Sequence, residues 1–117
     1  MAVTFRWLTT PHEGTIKLGV WEGLSAGEAG PAINCAGYPD TTVQLVGTFG
    51  GNVRIEGSLD PDGRVYATLN DRQGNALAGI SAATIKTVDP SCYLIRPVAD
   101  AHVDHVAVWL MLFAGGR

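Results

Sequence analysis

Two histidines and an aspartate stand close together in the segment HVDH, residues 102–105. Imidazole and carboxylate groups are common zinc ligands, so this cluster could hold a metal ion. On a β-strand, however, His102 and Asp104 share one face while His105 points to the other, so the three side chains cannot converge. The remaining pair offers too few ligands, and His12 is distant in the sequence. We therefore predict no metal site and interpret the segment as the solvent-exposed entrance to a strand.

The carboxylates that could act as a catalytic pair are Glu56 with Asp60 or Asp62. A glycosidase needs two such groups about 5–10 Å apart in a cleft, but these three occupy outward or turn positions, where charge is expected anyway. No segment is predicted to form a GxSxG elbow, the sharp strand-to-helix turn that carries the nucleophilic serine of many hydrolases. The chain also has no Ser or Cys that the sequence identifies as a nucleophile paired with a His. We therefore predict no enzyme and no catalytic residue. The alternative, a small jelly-roll enzyme, would show a pocket in which His and carboxylate groups converge.

Two glycine-containing segments resemble ligand loops only in part. DPDG at 60–63 begins like a calcium loop but lacks the later oxygen ligands and the terminal Glu. GTFGGN at 47–52 is followed by no helix that could offer its N-terminal N–H groups to a phosphate. We predict a turn at 60–63 and no cofactor.

Length and charge limit the remaining functions. The 117 residues fit one domain, 1–117. The net charge of −3, with scattered basic residues, gives no footprint for nucleic acid or an anionic membrane, and no run reaches the ~20 apolar residues that span a bilayer. Without a recognisable signal peptide, the protein is expected to stay in a cytosol. There Cys35 and Cys92 are expected to be buried free thiols, which could pair only with Cα atoms within about 7 Å.

Apolar and polar residues alternate with the period of two that is typical of β-strands over most of the chain. The segments with this pattern are 3–8, 15–21, 43–49, 53–57, 64–69 and 93–98. Pro97 confines the last of them to an edge or an end of a sheet, and 1–20 forms either edge strands or an N-terminal arm. Segment 23–40 has no clear period and is predicted as a long ordered loop, whereas 81–88 fits a strand or a helical turn.

A tight β-hairpin is predicted for 43–49 and 53–57. Gly50 and Gly51 can supply positive φ at both central positions of the turn between them. In the second strand the apolar residues face a core, and the polar residues that alternate with them are expected to point outward: Asn52, Arg54, Glu56 and Ser58.

The C-terminal run from His102 to Phe113 has two apolar faces. One face consists of Val106, Val108, Leu110 and Leu112, and the other of Ala107, Trp109, Met111 and Phe113. Either this is a central strand covered on both sides, or it packs on its own sheet with one face and on a neighbouring subunit with the other. About seven to nine short strands with little helical period predict an all-β fold, an antiparallel β-sandwich or a jelly-roll-like barrel.

The turn signals resemble those of a family of small proteins encoded among the structural genes of tailed bacteriophages and prophages. The similar motifs, which cover about two thirds of the chain, are WEGL at 21–24, GTFGG at 47–51, EGS at 56–58, the acidic turn at 60–63, DRQGN at 71–75 and Arg96-Pro97. The family often carries an aromatic residue soon after the acidic turn, here Tyr66. Segment 1–20 carries none of its signatures.

The resemblance implies a virion structural protein that decorates or cements the capsid. Such proteins assemble as dimers or trimers on the capsid surface and hold subunits of the major capsid protein together, after synthesis in the cytoplasm of the bacterial host. The residues expected to make contacts are Phe5, Trp7, Trp109, Met111 and Phe113. Two alternatives remain, a tail or connector component and a carbohydrate-binding module for host attachment. In the second, Trp7, Trp21 and Trp109, with Phe5, would stack on a sugar.

Overall fold

The computed structural model describes residues 3–8, 15–89 and 91–114. Within these ranges the chain forms strands, turns and loops, and no helix is long and apolar enough to cross a membrane. The strands are β1 (Thr4–Leu8), β2 (Ile16–Leu24), β3 (Ile33–Asn34), β4 (Asp40–Thr48), β5 (Val53–Ser58), β6 (Ala67–Thr68), β7 (Asn70–Asp71), β8 (Thr84–Asp89), β9 (Leu94–Ala99) and β10 (His105–Phe113). The all-β prediction is confirmed.

The strands form two antiparallel sheets that pack face to face. The six-stranded sheet has the order β1-β2-β10-β4-β8-β7, and the four-stranded sheet has the order β3-β9-β5-β6. The nine-residue strand β10 therefore lies in the interior of the larger sheet, between β2 and β4. This order is that of a sandwich in which the chain crosses repeatedly between sheets.

The core fills the space between the two sheets with aliphatic side chains and one tryptophan. The six-stranded sheet contributes Trp21, Val43, Leu45, Val106, Val108, Leu110 and Leu112, and the four-stranded sheet contributes Val53, Ile55 and Ile95, all with 0% of their surface exposed. The buried indole N–H of Trp21 is satisfied because it donates to the carbonyl oxygen of Pro31 at 2.8 Å. A jelly-roll fold can hold a ligand between its sheets; in the part of this chain that the structure describes, the buried side chains of the core cluster lie in that space.

The predicted hairpin of β4 with β5 is wrong. β4 pairs with β10 and β8, whereas β5 pairs with β9 and β6, so the turn at Gly50 and Gly51 is a corner that leads from one sheet to the other. Of these two glycines, Gly50 has a positive φ, 63°, and Gly51 does not. The corner is held by the neighbouring loop, because the carboxylate of Asp100 accepts from the backbone N–H of Asn52 at 2.9 Å and from that of His102 at 2.8 Å. Two alternating strands joined by Gly-Gly thus fit a sandwich corner as well as a hairpin.

A β-bulge sets the register of the two long central strands. Val108 stands opposite Trp21, but Val106 stands opposite Leu24, so β2 has one residue more than β10 over this interval. Gly23, with φ of 78°, accommodates the extra residue. As a result Trp21 and Leu24 both point into the core although three positions separate them, which a strict period of two does not allow.

Other local predictions hold in part. Segment 81–88 resolves as β8, and 23–40 is mostly loop but contains β3. Of the predicted strand 64–69, β6 contains Ala67 and Thr68, Leu69 donates its N–H to the carbonyl oxygen of Ile55 at 2.9 Å, and Val65 is 68% exposed. The prediction that Pro97 places its strand at an edge or an end is wrong, since Pro97 lies within β9, between β3 and β5.

The missing N–H of Pro97 is tolerated for a local reason. The carbonyl oxygen of Pro97 accepts a hydrogen bond from the backbone N–H of Gly30, and the N–H of Ala99 donates to the carbonyl oxygen of Glu28. Pro97 and Ala99 therefore direct their backbone groups toward segment 28–33. β9 pairs with Ile33 and Asn34 of β3 and, through an isolated bridge, with Ala29. Pro97 lies opposite the interval between these two pairings.

Candidate docking surface

The outward face of the six-stranded sheet carries a continuous apolar surface on β1, β2 and β10. Met111 of β10 stands opposite Leu18 of β2, which in turn stands opposite Leu8 of β1. Residues directly opposite each other on antiparallel strands share a face and come into contact. These three side chains therefore form one row across the sheet, on the side away from the core.

Neighbouring rows extend this surface along the strands. Trp109 stands opposite Val20, and Phe113 stands opposite Ile16. We call the set of these side chains the outer band: Leu8, Ile16, Leu18, Val20, Trp109, Met111 and Phe113. Val20 is 1% exposed even though it faces outward, whereas Met111 is 37% exposed. The band is thus tightly packed at Val20 and open at Met111.

Polar side chains border the outer band. On the β4 side the residues in register with the band are Thr42 and Gln44, and beyond them on β8 lie Thr87 and one exposed apolar residue, Ile85. At the other end, Arg6 of β1 and Glu22 of β2 form an exposed ion pair, with 2.8 Å between Nε and Oε1. The hydrogen bond from Arg6 lowers the pKa of Glu22, so this carboxylate stays charged. An apolar centre with a polar rim is the usual anatomy of a protein–protein interface.

The residues predicted as contacts lie on two different surfaces. Those in the outer band are Trp109, Met111 and Phe113. Phe5 and Trp7 lie on the opposite face of β1, because they stand opposite Trp21 and Gly19, on the core side of β2. A Cβ atom at Gly19 would collide with the ring of Phe5, so glycine at this position lets the ring lie against the sheet. One flat partner therefore cannot contact all of the predicted residues together.

Phe5 and Trp7 belong to an aromatic cluster at the margin of the core. The ring of Phe5 lies 4.9 Å from that of Trp7, nearly perpendicular to it, and 5.0 Å from that of Trp21. Lys17 places its ammonium group 5.0 Å from the Trp7 ring centroid. Because Trp21 is 0% exposed, it cannot stack on a sugar, and Trp7, at 44% exposed, is the open member of the cluster.

The contribution of β1 and β2 to the outer band escaped the sequence analysis. Segment 15–21 alternates Ile16, Leu18 and Val20 with Gly19 and Trp21, so both of its sides carry apolar residues. For the C-terminal run, the residues on each of its two faces were compared. The same comparison for segment 15–21 would have indicated a second strand with an apolar outer side.

The HVDH segment is arranged differently from the prediction. His102 lies in a turn, Asp104 precedes the strand, and His105 is the first residue of β10. Since His102 and Asp104 are not on a strand, the argument that alternating strand faces keep the three side chains apart does not apply to them. Among the residues that the structure describes, no group of three or more His, Cys, Asp or Glu side chains could hold a metal ion. His12 lies outside those residues.

Glu56 does not point freely into solvent as predicted. It is 8% exposed and receives hydrogen bonds from Arg54 at 2.7 Å and from Arg96 at 3.0 Å. Burial by itself raises the pKa of the Glu56 carboxyl, but the two guanidinium groups outweigh it and lower the pKa. The Arg96 guanidinium also lies 3.7 Å from the ring centroid of Tyr66. This packed network on the outside of the four-stranded sheet leaves Glu56 engaged rather than available as an acid or a base.

The other two carboxylates of the considered catalytic set belong to a turn. Asp60 accepts from Arg64 Nε at 2.8 Å and from the backbone N–H of Asp62 at 3.0 Å. The hydrogen bond from Arg64 lowers the pKa of Asp60. Gly63 has φ of 66° and donates its N–H to Asp60 O at 2.9 Å, so the prediction of a turn at 60–63 is confirmed. Asp60 is thus engaged within its own turn.

Comparison with known proteins supports the fold. No protein-family model matches the sequence, and no curated protein matches it. Among solved structures, the SPBc2 prophage-derived protein YomS is similar, with a TM-score of 0.64, 8% identity, and coverage of 88% of this chain and 98% of that protein. The cupin domain of Schizosaccharomyces pombe Cnp3 is similar over 97% of this chain, with a TM-score of 0.55 and 13% identity. A cupin superfamily protein from Desulfitobacterium hafniense has a TM-score of 0.54 and 7% identity over 98% of this chain.

These likenesses define a cupin-like jelly-roll architecture. The chain spans 61% of the length of the Cnp3 cupin domain structure but almost the whole length of the prophage-derived protein. At identities of this size the likeness shows the fold alone, because one fold carries many functions.

Proposed function

We propose that this protein is a non-catalytic virion component of a tailed bacteriophage that decorates the capsid. In this proposal it is made in the cytoplasm of the bacterial host, assembles as a dimer or trimer, and binds the major capsid protein through the outer band. The observation that carries the proposal is the apolar outer band within a polar rim. It is supported by the similar fold and length of a prophage-derived protein and by the resemblance of the turn motifs to those of phage structural genes.

The composition of the outer band favours a protein partner over a small ligand. Trp109, Met111 and Phe113 are residue types that are enriched at interface centres, and they lie on a regular sheet instead of in a pocket. The outer band covers three strands of up to nine residues, an area of roughly 15 Å by 30 Å. That is about half of the roughly 800 Å² per partner in a standard protein interface, so the neighbouring side chains of β4 and β8 would have to take part in the contact.

Decoration does not require tight binding at each contact. An oligomer that touches several capsid subunits gains affinity because its second contact forms at a high effective concentration. The ion-paired rim at Arg6 and Glu22 would orient the protein on the lattice, since charged pairs at a rim contribute more to specificity than to affinity.

The direct test uses particles of the phage or prophage whose genome carries this gene. Electron cryo-microscopy should show density for the sandwich on the capsid, with the outer band against the major capsid protein; an outer band buried against a second copy would refute its assignment as the capsid-binding surface. Density on the tail or connector, or no copies in purified particles, would refute capsid decoration. Density on the capsid with the outer band facing solvent would refute the assigned surface.

A binding experiment with matched variants tests the surface independently. Met111→Glu places a carboxylate in the centre of the outer band, where burial of an unpaired charge is costly, and should weaken binding to particles that lack the protein by at least about tenfold. Ala78→Glu adds the same charge at an exposed position in the segment beside the four-stranded sheet and should bind like the wild type. Circular dichroism confirms that both variants fold. Equal binding by Met111→Glu and the wild type would overturn the assignment.

A further inference from the structure

Cys35 and Cys92 lie side by side although 57 positions separate them in the sequence. Their sulfur atoms are 3.9 Å apart, and both thiols are free. The Cys35 thiol donates a hydrogen bond to the carbonyl oxygen of Cys92, with 3.0 Å between sulfur and oxygen. The Cys92 thiol lies 3.1 Å from the carbonyl oxygen of Leu94. The two thiols are therefore neighbours in a defined arrangement.

The backbone around the two cysteines is already paired. Asn34 of β3 stands opposite Leu94 of β9, and the pairing continues one residue further because Cys35 donates its N–H to the carbonyl oxygen of Tyr93 at 2.9 Å. Tyr93 in turn donates its N–H to Ser58 of β5 at 2.9 Å. Cys35 therefore stands opposite Tyr93, the residue that follows Cys92, so the two cysteines occupy diagonal positions across the pairing. Their sulfur atoms, 3.9 Å apart, have only a short approach to make to the bonding distance of about 2.05 Å.

The two sulfurs differ in access. Cys92 is half-buried and lines two adjoining hollows of about 490 and 460 Å³, whereas Cys35 is 3% exposed. The walls of the hollows carry mostly apolar side chains, among them the exposed Leu59. A small molecule can therefore approach Cys92 from either hollow, while Cys35 borders only the first hollow and is almost completely buried.

The hydrogen bond between the thiols assigns them different chemical roles. The contact with Cys35 lowers the pKa of the Cys92 thiol, whereas the contact with Cys92, together with burial, raises the pKa of the Cys35 thiol. The thiolate is the nucleophile in thiol–disulfide exchange. Cys92 is accordingly the first to react and Cys35 the second.

We propose that Cys35 and Cys92 form a covalent redox site that low-molecular-weight disulfides, such as oxidised glutathione, convert into an intramolecular disulfide. The Cys92 thiolate attacks one sulfur of the oxidant, forms a mixed disulfide and releases one thiolate. The Cys35 sulfur then attacks the Cys92 sulfur, its proton goes to the departing thiolate, and a second thiol leaves. The protein loses two hydrogen atoms, and the oxidant is reduced to two thiols. The new bond links the loop after β3 to the segment before β9. This inference does not depend on the proposed capsid role.

The experiment treats the folded, reduced protein with oxidised glutathione. Intact mass should decrease by two hydrogens with no glutathionyl group retained, and digestion without reductant should yield the peptide containing Cys35 linked to that containing Cys92. The thermal midpoint should rise by roughly 5–15 °C and return on addition of dithiothreitol, since a cross-link across a long loop constrains the unfolded chain.

Matched variants separate the two roles. Cys35→Ser should accumulate a stable mixed disulfide on Cys92, because no second thiol is present to expel glutathione. Cys92→Ser should keep its Cys35 reduced under the same conditions. A wild-type protein that keeps both thiols, retains glutathione, or cross-links only between chains would overturn the proposal. Peptide mapping of the wild type decides the matter even where a variant fails to fold.

Discussion

Two adjacent residues of β10 should respond in opposite ways to truncation. Leu110 is 0% exposed in the core, and Met111 is 37% exposed in the outer band. Leu110→Ala removes buried carbon atoms and leaves a cavity, which costs about 2–5 kcal/mol of unfolding free energy. We expect about 3 kcal/mol at this central strand. Met111→Ala should cost less than about 1 kcal/mol in the isolated protein.

Urea denaturation followed by tryptophan fluorescence measures this difference. With a slope of about 1.5 kcal/mol per molar urea, Leu110→Ala should lower the midpoint by about 2 M and Met111→Ala by less than about 0.7 M. The slope itself should be unchanged, because both variants unfold the same core.

Protein concentration distinguishes the outcomes. An equal loss of stability in both variants, independent of concentration, would show that the outward side of β10 is buried within one chain and would refute the two-face assignment. A cost for Met111→Ala that grows with protein concentration would show that copies associate through the outer band, since stability then includes the association free energy.

Two further predictions concern the turns and loops that shape the sandwich. Gly47 has φ of 138°, and a Cβ atom there would collide with the backbone oxygen of His105, so Gly47→Ala should cost more than about 3 kcal/mol in denaturant titration. Gly74→Ala, with positive φ but open space around it, should cost only about 1 kcal/mol. Backbone N–H donors lower the pKa of Asp71 and of Asp100 from the ordinary value of 3.8. Both carboxylates therefore stabilise the fold at pH values above 3.8. This contribution is lost as the pH falls through the lowered pKa values. Thermal melts between pH 6 and about pH 2.5 should therefore show a steeper fall in the wild type than in Asp71→Asn/Asp100→Asn, and equal slopes would contradict the assignment.

Local patterns in the sequence predicted the local structures. The acidic turn at 60–63 and the turn that follows Asp71 depend on side chains and glycines within a few residues, and both form as predicted. The strand-like alternation predicted for 15–21 survives in β2 as far as the bulge, and the two-faced run that ends at Phe113 forms β10, because each strand has one side in the core. The two apolar faces of the C-terminal strand also follow from its own residues.

Which strands pair could not be predicted from the same patterns. β4 and β5 alternate as a hairpin would, yet the corner at Gly50 sends them into different sheets, where Asp100, distant in sequence, holds the connection. Phe5 and Trp7 have the same residue types as the outer band, and only the register of β1 against β2 places them on the core side.

The sequence by itself determined that this protein is built from short antiparallel strands with one side in a core, because alternation and turn residues are properties of neighbouring positions. The tertiary structure alone decided that Glu56 is enclosed by two arginines, that three strands combine their apolar sides into the outer band, and that Cys35 meets Cys92. Apart from the contact between Arg54 and Glu56, these features join residues far apart in the chain. Their contacts depend on sheet order, register and a bulge, which no single segment encodes.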